Sequence, residues 1–184
     1  MAIWTLEADY DFTTFDFSSD GDKIYFDFLV KNYFEASKLI AQNWRPLNMI
    51  RNEPKKHPDF FEIGSSDVIA ISKAAVDTLK DSLNDNVELL EIETDAGKYY
   101  AMNILNFVDC LNKEESKYEA TKGGTIVKYS LLVFDEEKLR ENKIFKVPEM
   151  PFCTFVTDEI RETCEEKYLR GLFFDTEINL VWYS

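Results

Sequence analysis

The sequence predicts an α+β fold: a single domain over residues 1–184, with a largely antiparallel sheet and two or three helices. Three observations predict it. Apolar residues recur at period two in many short runs, the pattern of half-buried strands. Residues 73–83 and 158–169 carry apolar residues at helical spacing, each behind a Ser or Thr suited to an N-cap. The chain has 184 residues, 45% apolar and 15% aromatic, which is too rich in core-forming side chains for disorder. A chain of this length can bury about 70% of its unfolded surface, enough for a core without staples. A strand-rich order with two helices is the α+β signature.

At the N-terminus, acids and aromatics alternate. Asp9 and Asp11 interleave with Tyr10 and Phe12, Asp16 lies between Phe15 and Phe17, and Asp27 lies between Phe26 and Phe28. Period two predicts strands with the aromatics inward and the acids outward, turned at Ser19-Asp20-Gly21-Asp22 into a hairpin. Residues 31–43 predict a short helix with Phe34, Leu39 and Ile40 on one side. Extended pieces follow at 47–50 and 60–63, separated by Pro46, Pro54 and Pro58. Residues 68–71 predict a buried strand. Ser72 then caps a helix over 73–83, whose Ala75, Leu79 and Leu83 form a core face. Residues 87–94 and 98–105 predict two strands around a turn at Asp95-Ala96-Gly97-Lys98. A long strand is expected over 125–134, with Val127, Tyr129, Leu131 and Val133 on one face, and shorter ones over 144–147 and 152–156. Thr157 caps a helix over 158–169, and Asp158 and Glu159 suit the positive end of its dipole. Ile160, Cys164 and Tyr168 are its inward positions and Gly171 is its stop. Residues 177–182 close the chain as a strand.

Charge excludes several classes of function. The 35 acids outnumber the 21 Lys and Arg by 14. Such a surface repels phosphates, so neither direct nucleic-acid binding nor an anionic membrane is expected as a partner. The charge is uneven: residues 1–35 hold eight acids and two bases, and residues 158–177 hold seven acids and three bases. The N-terminus has no basic stretch followed by a long apolar one, so no secretory signal is expected. No apolar run approaches the roughly 20 residues of a membrane span. Cys110, Cys153 and Cys164 form no CxxC pair and read as free thiols of a reducing cytoplasm. His57 is the one histidine, which removes zinc sites built on several histidines and leaves an ordinary loop histidine as the expectation. The scattered glycines form no Walker loop and no GxGxxG turn. No cofactor is expected.

Among local motifs, Asp16, Ser18, Asp20, Gly21, Asp22 and Asp27 fall at positions 1, 3, 5, 6, 7 and 12 of a calcium loop. Asp27 stands where a bidentate Glu is usual, Lys23 stands where a hydrophobic residue is usual, and no second loop pairs with it. A plain Asp-Gly turn is the reading preferred over calcium. Carboxylate pairs such as Glu114-Glu115 and Glu165-Glu166 look like solvated faces, although a carboxylate-based hydrolase stays open as a third reading. Side chains two apart on a strand face lie roughly 6.5–7 Å from each other, close to the spacing of backbone phosphates. Asp9, Asp11, Asp16, Asp20, Asp22 and Asp27 could therefore imitate a phosphate track toward a basic cleft, against the plainer reading of a polar outer face.

From Pro58 onward an ordered series of short motifs accumulates. It runs Pro58-Asp59-Phe60, Val68-Ile69-Ala70-Ile71-Ser72-Lys73, Val87-Glu88-Leu89-Leu90, Tyr99-Tyr100-Ala101-Met102-Asn103, and Val108-Asp109 with Ser116 and Tyr118 beyond. Then come Val133-Phe134-Asp135-Glu136-Glu137-Lys138, Ile144-Phe145-Lys146, Phe155-Val156-Thr157-Asp158-Glu159 and Leu169-Arg170-Gly171-Leu172-Phe173-Phe174. In that order the pieces resemble immunity-protein family eleven of bacterial polymorphic toxin systems, over residues 58–175. Residues 1–57, acidic and aromatic, match less. Leu111-Asn112 departs from the pattern, which expects an Asp beside the Asp109 motif.

The resemblance implies an α+β immunity protein of the cytoplasm that binds a cognate toxin domain and is not an enzyme. Family motif positions fall on Asp59, Ser72, Glu88, Tyr100, Asn103, Asp109, Ser116, Tyr118, Phe145 and Gly171. Positions shared by proteins that face different toxins are expected to serve the fold. Ser72 would cap a helix, Gly171 would end one, Phe145 would pack, and Asp109 with Ser116 would order a loop. The toxin contacts are then expected at Asp9, Asp11, Asp16, Asp20, Asp22 and Asp27, and next at Glu162, Glu165 and Glu166. The partner implied is a basic toxin such as a nuclease, blocked at its active site or substrate cleft. A small ligand- or calcium-binding module is the alternative.

Overall fold

The computed structural model of the chain describes residues 2–53, 55–124, 126–139, 142–176 and 178–179. Among them, thirteen strands form three sheets. The six-stranded sheet runs in the order β2 (Phe15–Phe17), β3 (Leu47–Arg51), β6 (Val87–Thr94), β7 (Gly97–Ile104), β5 (Ile69–Ser72), β4 (Phe60–Glu62). The four-stranded sheet runs β10 (Ile144–Val147), β11 (Met150–Thr157), β1 (Ile3–Ala8), β12 (Leu172–Asp175). A third runs β13 (Ile178–Asn179), β9 (Ile126–Leu131), β8 (Lys117–Ala120). Pairings between described strands are antiparallel except β3 with β6. The helices are α1 (Asp20–Leu29), α2 (Lys73–Leu83), α3 (Glu136–Leu139) and α4 (Asp158–Glu166). The expected α+β class with a largely antiparallel sheet is what the chain adopts.

The six-stranded sheet is buried on both faces. In β7, Tyr99 and Ala101 join a cluster with Phe15, Phe26, Leu29, Phe34, Phe61 and Ile92, under α1. The alternate residues Met102 and Ile104 join Ile69, Ile71, Ala75, Leu79, Leu83 and Ile160, under α2 and α4. This two-sided burial follows from the near-continuous apolar run of β5, which is buried at all four residues. A third cluster gathers Phe145, Phe155, Val147, Leu139 and Tyr129 where β10 and β11 meet β9, and Phe145 stacks on Phe155 at 5.6 Å.

Most of the expected elements lie where the sequence places them, and β1, β8, β12 and α3 are additional to them. The helix over 73–83 begins behind Ser72, whose hydroxyl accepts from the Ala75 N–H at 3.1 Å. The strand pair around the Asp95 to Gly97 turn is β6 with β7. Five readings need correction. Residues 20–29 are helical instead of the second half of a hairpin, and Ser19 is the N-cap, accepting from the Asp22 N–H at 3.1 Å. The chain then continues from α1 through a π turn, Val30–Phe34, so no separate helix spans 31–43, and Leu39 is 71% exposed. β9 stops at Leu131, which is exposed. α4 ends at Glu166, and Tyr168 takes a left-handed φ of 55° with its ring 81% exposed instead of facing inward. Thr157 holds the N-cap position of α4 without a side-chain bond to the helix. Of the strand expected over 177–182, residues 178–179 form β13, and residues 177 and 180–182 lie outside the described residues.

Candidate partner-binding surface

Several family motif residues meet in internal polar nodes. Asp59, Ser72 and Gly171 meet at one node. The Ser72 hydroxyl donates to Asp59 Oδ1 at 2.9 Å, and Asp59 Oδ2 accepts from the Arg170 N–H at 3.0 Å. The backbone of Asp59 and Phe60 donates in turn to the Arg170 carbonyl. Gly171 belongs here for a reason other than the helix stop expected of it. Its φ is +98°, and a Cβ would lie 2.2 Å from the Phe60 carbonyl oxygen. A second node pairs Glu88 with Asn103 across β6 and β7. Asn103 Nδ2 donates to Glu88 at 2.9 Å and to the Lys38 carbonyl at 2.8 Å, and Glu88 accepts from the N–H groups of Ile40 and Ala41. These bonds pin the segment that follows the π turn to the sheet.

Ser116 is buried and accepts from the Val133 N–H at 3.0 Å, as a loop-ordering hydroxyl does. Asp109 is exposed and is not its partner in that loop. Asn112 orders the turn instead, accepting from the N–H groups of Glu114 and Glu115. It does so at the departure from the family pattern, where a side-chain amide oxygen performs the same capping that a carboxylate would. Tyr100 packs in the cluster under α2, Phe145 is fully buried, and Tyr118 is half-exposed with its ring 5.9 Å from that of Tyr129.

The expected partner residues separate into groups. Asp16, Asp20 and Asp27 line one groove of about 830 Å³, together with Glu62, Tyr10 and Lys23. Lys23 Nζ is 2.6 Å from Asp27, a pairing on the exposed face of α1. Tyr10 donates to Glu62, and burial first, then that carboxylate, pushes its phenol up from the ordinary value. Asp22 is not on this surface. It is 5% exposed, points inward from α1, and accepts from Arg45 and from the hydroxyls of Ser18 and Ser19. Burial alone would raise its carboxyl, but Arg45 and the two hydroxyls outweigh it and hold the group below the usual range. Asp9 is committed to a turn, accepting from the Asp11 N–H at 2.9 Å, and Asp11 is exposed beside it.

Glu162, Glu165 and Glu166 are on the solvent side of α4, whose inner positions Ile160 and Cys164 are buried. Arg161 Nη1 is 2.6 Å from Glu165, and its guanidinium lies 4.7 Å over the Trp4 ring. That helix packs on β1, β11 and α2, apart from the groove beside α1.

Sequence reasoning missed the apolar part of the α1 surface. Ile24 is 70% exposed and Phe28 is 58% exposed, one helical turn apart beside Asp20 and Asp27. The signal was present as Ile24-Tyr25-Phe26-Asp27-Phe28, but it reads as a strand. The calcium-loop positions fall on the same helix. Residues 20–29 are helical and Asp22 is turned to Arg45, away from the groove that Asp16, Ser18, Asp20 and Asp27 line. Among the described residues, no three His, Cys, Asp or Glu side chains are placed to hold a metal.

Burial and neighbouring carboxylates raise the Glu7 and Asp67 carboxyls, yet neither lines the 830 Å³ groove. The cavity beside Asp67 and Lys146 measures about 10 Å³, the room of about one water. Burial pushes the thiols of Cys110, Cys153 and Cys164 up to about 12, away from thiolate chemistry. His57 faces the Tyr99 hydroxyl at 3.3 Å. No described helix is long and apolar enough to cross a membrane.

Fold and surface together define an acidic α+β domain whose internal polar nodes hold strands and helix ends, with its carboxylate surface at the N-terminal helix. The model of the immunity protein family Imm11 matches residues 85–177, half of the chain, and the chain belongs to that family. No curated protein matches it. The matched span holds Glu88, Tyr100, Asn103, Ser116, Phe145 and Gly171, whereas α1 and its groove lie before it.

Proposed function

We propose that this protein neutralises a cognate toxin domain by binding it and covering its active site or substrate cleft, without catalysis of its own. The observation that carries the reading is the α1 groove, where Asp16, Asp20, Asp27 and Glu62 face one ammonium, Lys23. Membership of an immunity family supplies the kind of partner, a toxin. The carboxylate surplus supplies its sign. A basic toxin, such as a nuclease whose cleft is built to hold phosphates, is drawn to this surface and meets carboxylates in their place. The position of the groove supports the same reading. The nodes inside the matched span hold the frame, and a face fitted to one particular toxin belongs outside the parts that different family members share. Asp9, Asp11 and the α4 acids Glu162, Glu165 and Glu166 then add to the long-range field and make few contacts. The whole chain acts as one unit in the producing cell's cytoplasm, and neither nucleic acid nor a membrane is its ligand.

Co-expression tests it. The toxin domain encoded beside this gene is induced in a sensitive host with and without the present chain. Growth with the chain and arrest without it is the expected result. Arrest in both, with the chain folded and abundant, would contradict the reading.

A further inference from the structure

We propose that the outward stripe of α1, Ile24 and Phe28, is the apolar seat for one segment of the toxin. That segment carries bulky apolar side chains next to a Lys or Arg, and its cation enters the adjoining groove. The inference rests on the toxin-binding reading above and says how that binding is divided between side chains.

Helical geometry makes the juxtaposition. Asp20, Lys23 and Asp27 are spaced along the groove side of α1, and Ile24 and Phe28 occupy the neighbouring stripe one turn apart. Their exposures, 70% and 58%, are unusual beside Phe26 and Leu29 of the same helix, which are 0% and 3% exposed. A single exposed apolar residue needs no explanation, but two stacked on one helix face beside a charged groove have the layout of an interface centre with a polar rim. The stripe is also held rigid. Ser19 caps the helix and Asp22 ties it to Arg45. The Arg45 guanidinium lies 4.3 Å over the Tyr25 ring, and the Tyr25 hydroxyl donates to the Asn43 carbonyl. A face fixed before binding loses little entropy when it docks.

Charge selects among occupants. A second copy of this chain, packed face to face, would bring two predominantly acidic groove faces together, which is repulsive. An acidic segment is refused for the same reason. A segment with a cation beside its apolar side chains satisfies both halves of the surface. The groove carboxylates govern the rate of encounter, and the Ile24–Phe28 pair governs how long the complex lasts.

Binding kinetics of the toxin domain encoded beside this gene, disarmed at its active site, test the proposal. Ile24 and Phe28 are exposed, so Ile24→Ala and Phe28→Ala keep the fold, which melting curves verify. Phe28→Ala is expected to speed dissociation by about tenfold or more and Ile24→Ala by a smaller factor, with association nearly unchanged. Asp20→Asn with Asp27→Asn should slow association and weaken its salt dependence, with a smaller effect on dissociation. Tyr168→Ala, an exposed aromatic beyond α4, serves as the control and should change neither rate. If both apolar variants dissociate at the wild-type rate from a toxin that still binds, the seat is elsewhere while the immunity reading stands. If the toxin does not bind the wild-type chain at all, the functional reading fails and this inference with it. If Phe28→Ala abolishes self-association of the chain and leaves toxin binding intact, the occupant is a second copy and the proposal is overturned.

Discussion

Asp22 and Asp20 are two residues apart and look alike in the sequence, but the helix gives them opposite work. Asp20 faces the groove, whereas Asp22 locks α1 to Arg45 and to its own N-cap. Its carboxyl titrates below that of an unfolded Asp, so the stabilisation is whole above about pH 4 and is lost as pH falls through the folded-state value. Asp22→Asn is expected to cost about 1–3 kcal/mol in urea unfolding at pH 7, a difference that shrinks as the pH falls below about 4. Lys146 has the opposite character. Its ammonium is buried and donates to the Phe34 carbonyl at 3.0 Å, and burial pushes it down to about 8 despite nearby Cys153, Glu35 and Asp67. The folded chain holds that proton more weakly than the unfolded chain, so folding carries the full cost below pH 8 and is relieved as pH rises toward 10.5. Relative to Lys146→Met, the wild type should gain up to about 3 kcal/mol across that window, read from unfolding at successive pH values.

At the scale of elements, β3 to β7, β10, β11 and the helix α2 were legible because burial and period agree there, whereas β1, β8 and β12 lie where the side-chain pattern predicts no strand. The pattern Ala75, Leu79, Leu83 is inward in the sequence and inward in the fold. α1 was misread for a physical reason. Phe26 faces the core, but Ile24 and Phe28 face solvent, so the helix lacks a clean apolar face and imitates a strand at period two. Where local pattern and fold disagree, a functional surface is the first place to look, and here the disagreement falls on the helix beside the groove. Tyr168 was misplaced because the end of α4 depends on a left-handed residue that side-chain spacing does not announce. The role of Gly171 was half legible. A glycine was expected, but its close approach to the Phe60 carbonyl is a long-range feature. Gly171→Ala combines that clash with a positive φ and should lower stability by about 2–4 kcal/mol, well beyond an ordinary glycine replacement. Ser72→Ala removes the cap of α2 and the bond to Asp59 together and should cost about 1–2 kcal/mol. Thermal melting of the two variants, compared with wild type, checks both.

For the whole molecule, most of the net charge of −14 falls in residues 1–35 and 158–177, which the fold sets in different places. The N-terminal acids that remain available gather at the α1 groove, and the C-terminal acids lie along α4 beside Arg161. The acidic segments were legible from composition, whereas the split of the first between groove, turn and internal ion pair was not, since it depends on which way a helix faces. The family was legible from ordered motifs, of which Asp59, Ser72, Gly171, Glu88 and Asn103 meet in internal polar nodes while Asp109 and Tyr118 are exposed. The central claim is that α1 and its groove are the face that meets the toxin, and backbone hydrogen exchange of the chain with and without the disarmed toxin domain tests it most directly. The account predicts new protection concentrated in residues 14–29 and 62–65, with α4 and the β8–β9 hairpin unchanged. Protection confined to α4 or to β8–β9, with residues 14–29 exchanging as in the free chain, would contradict it.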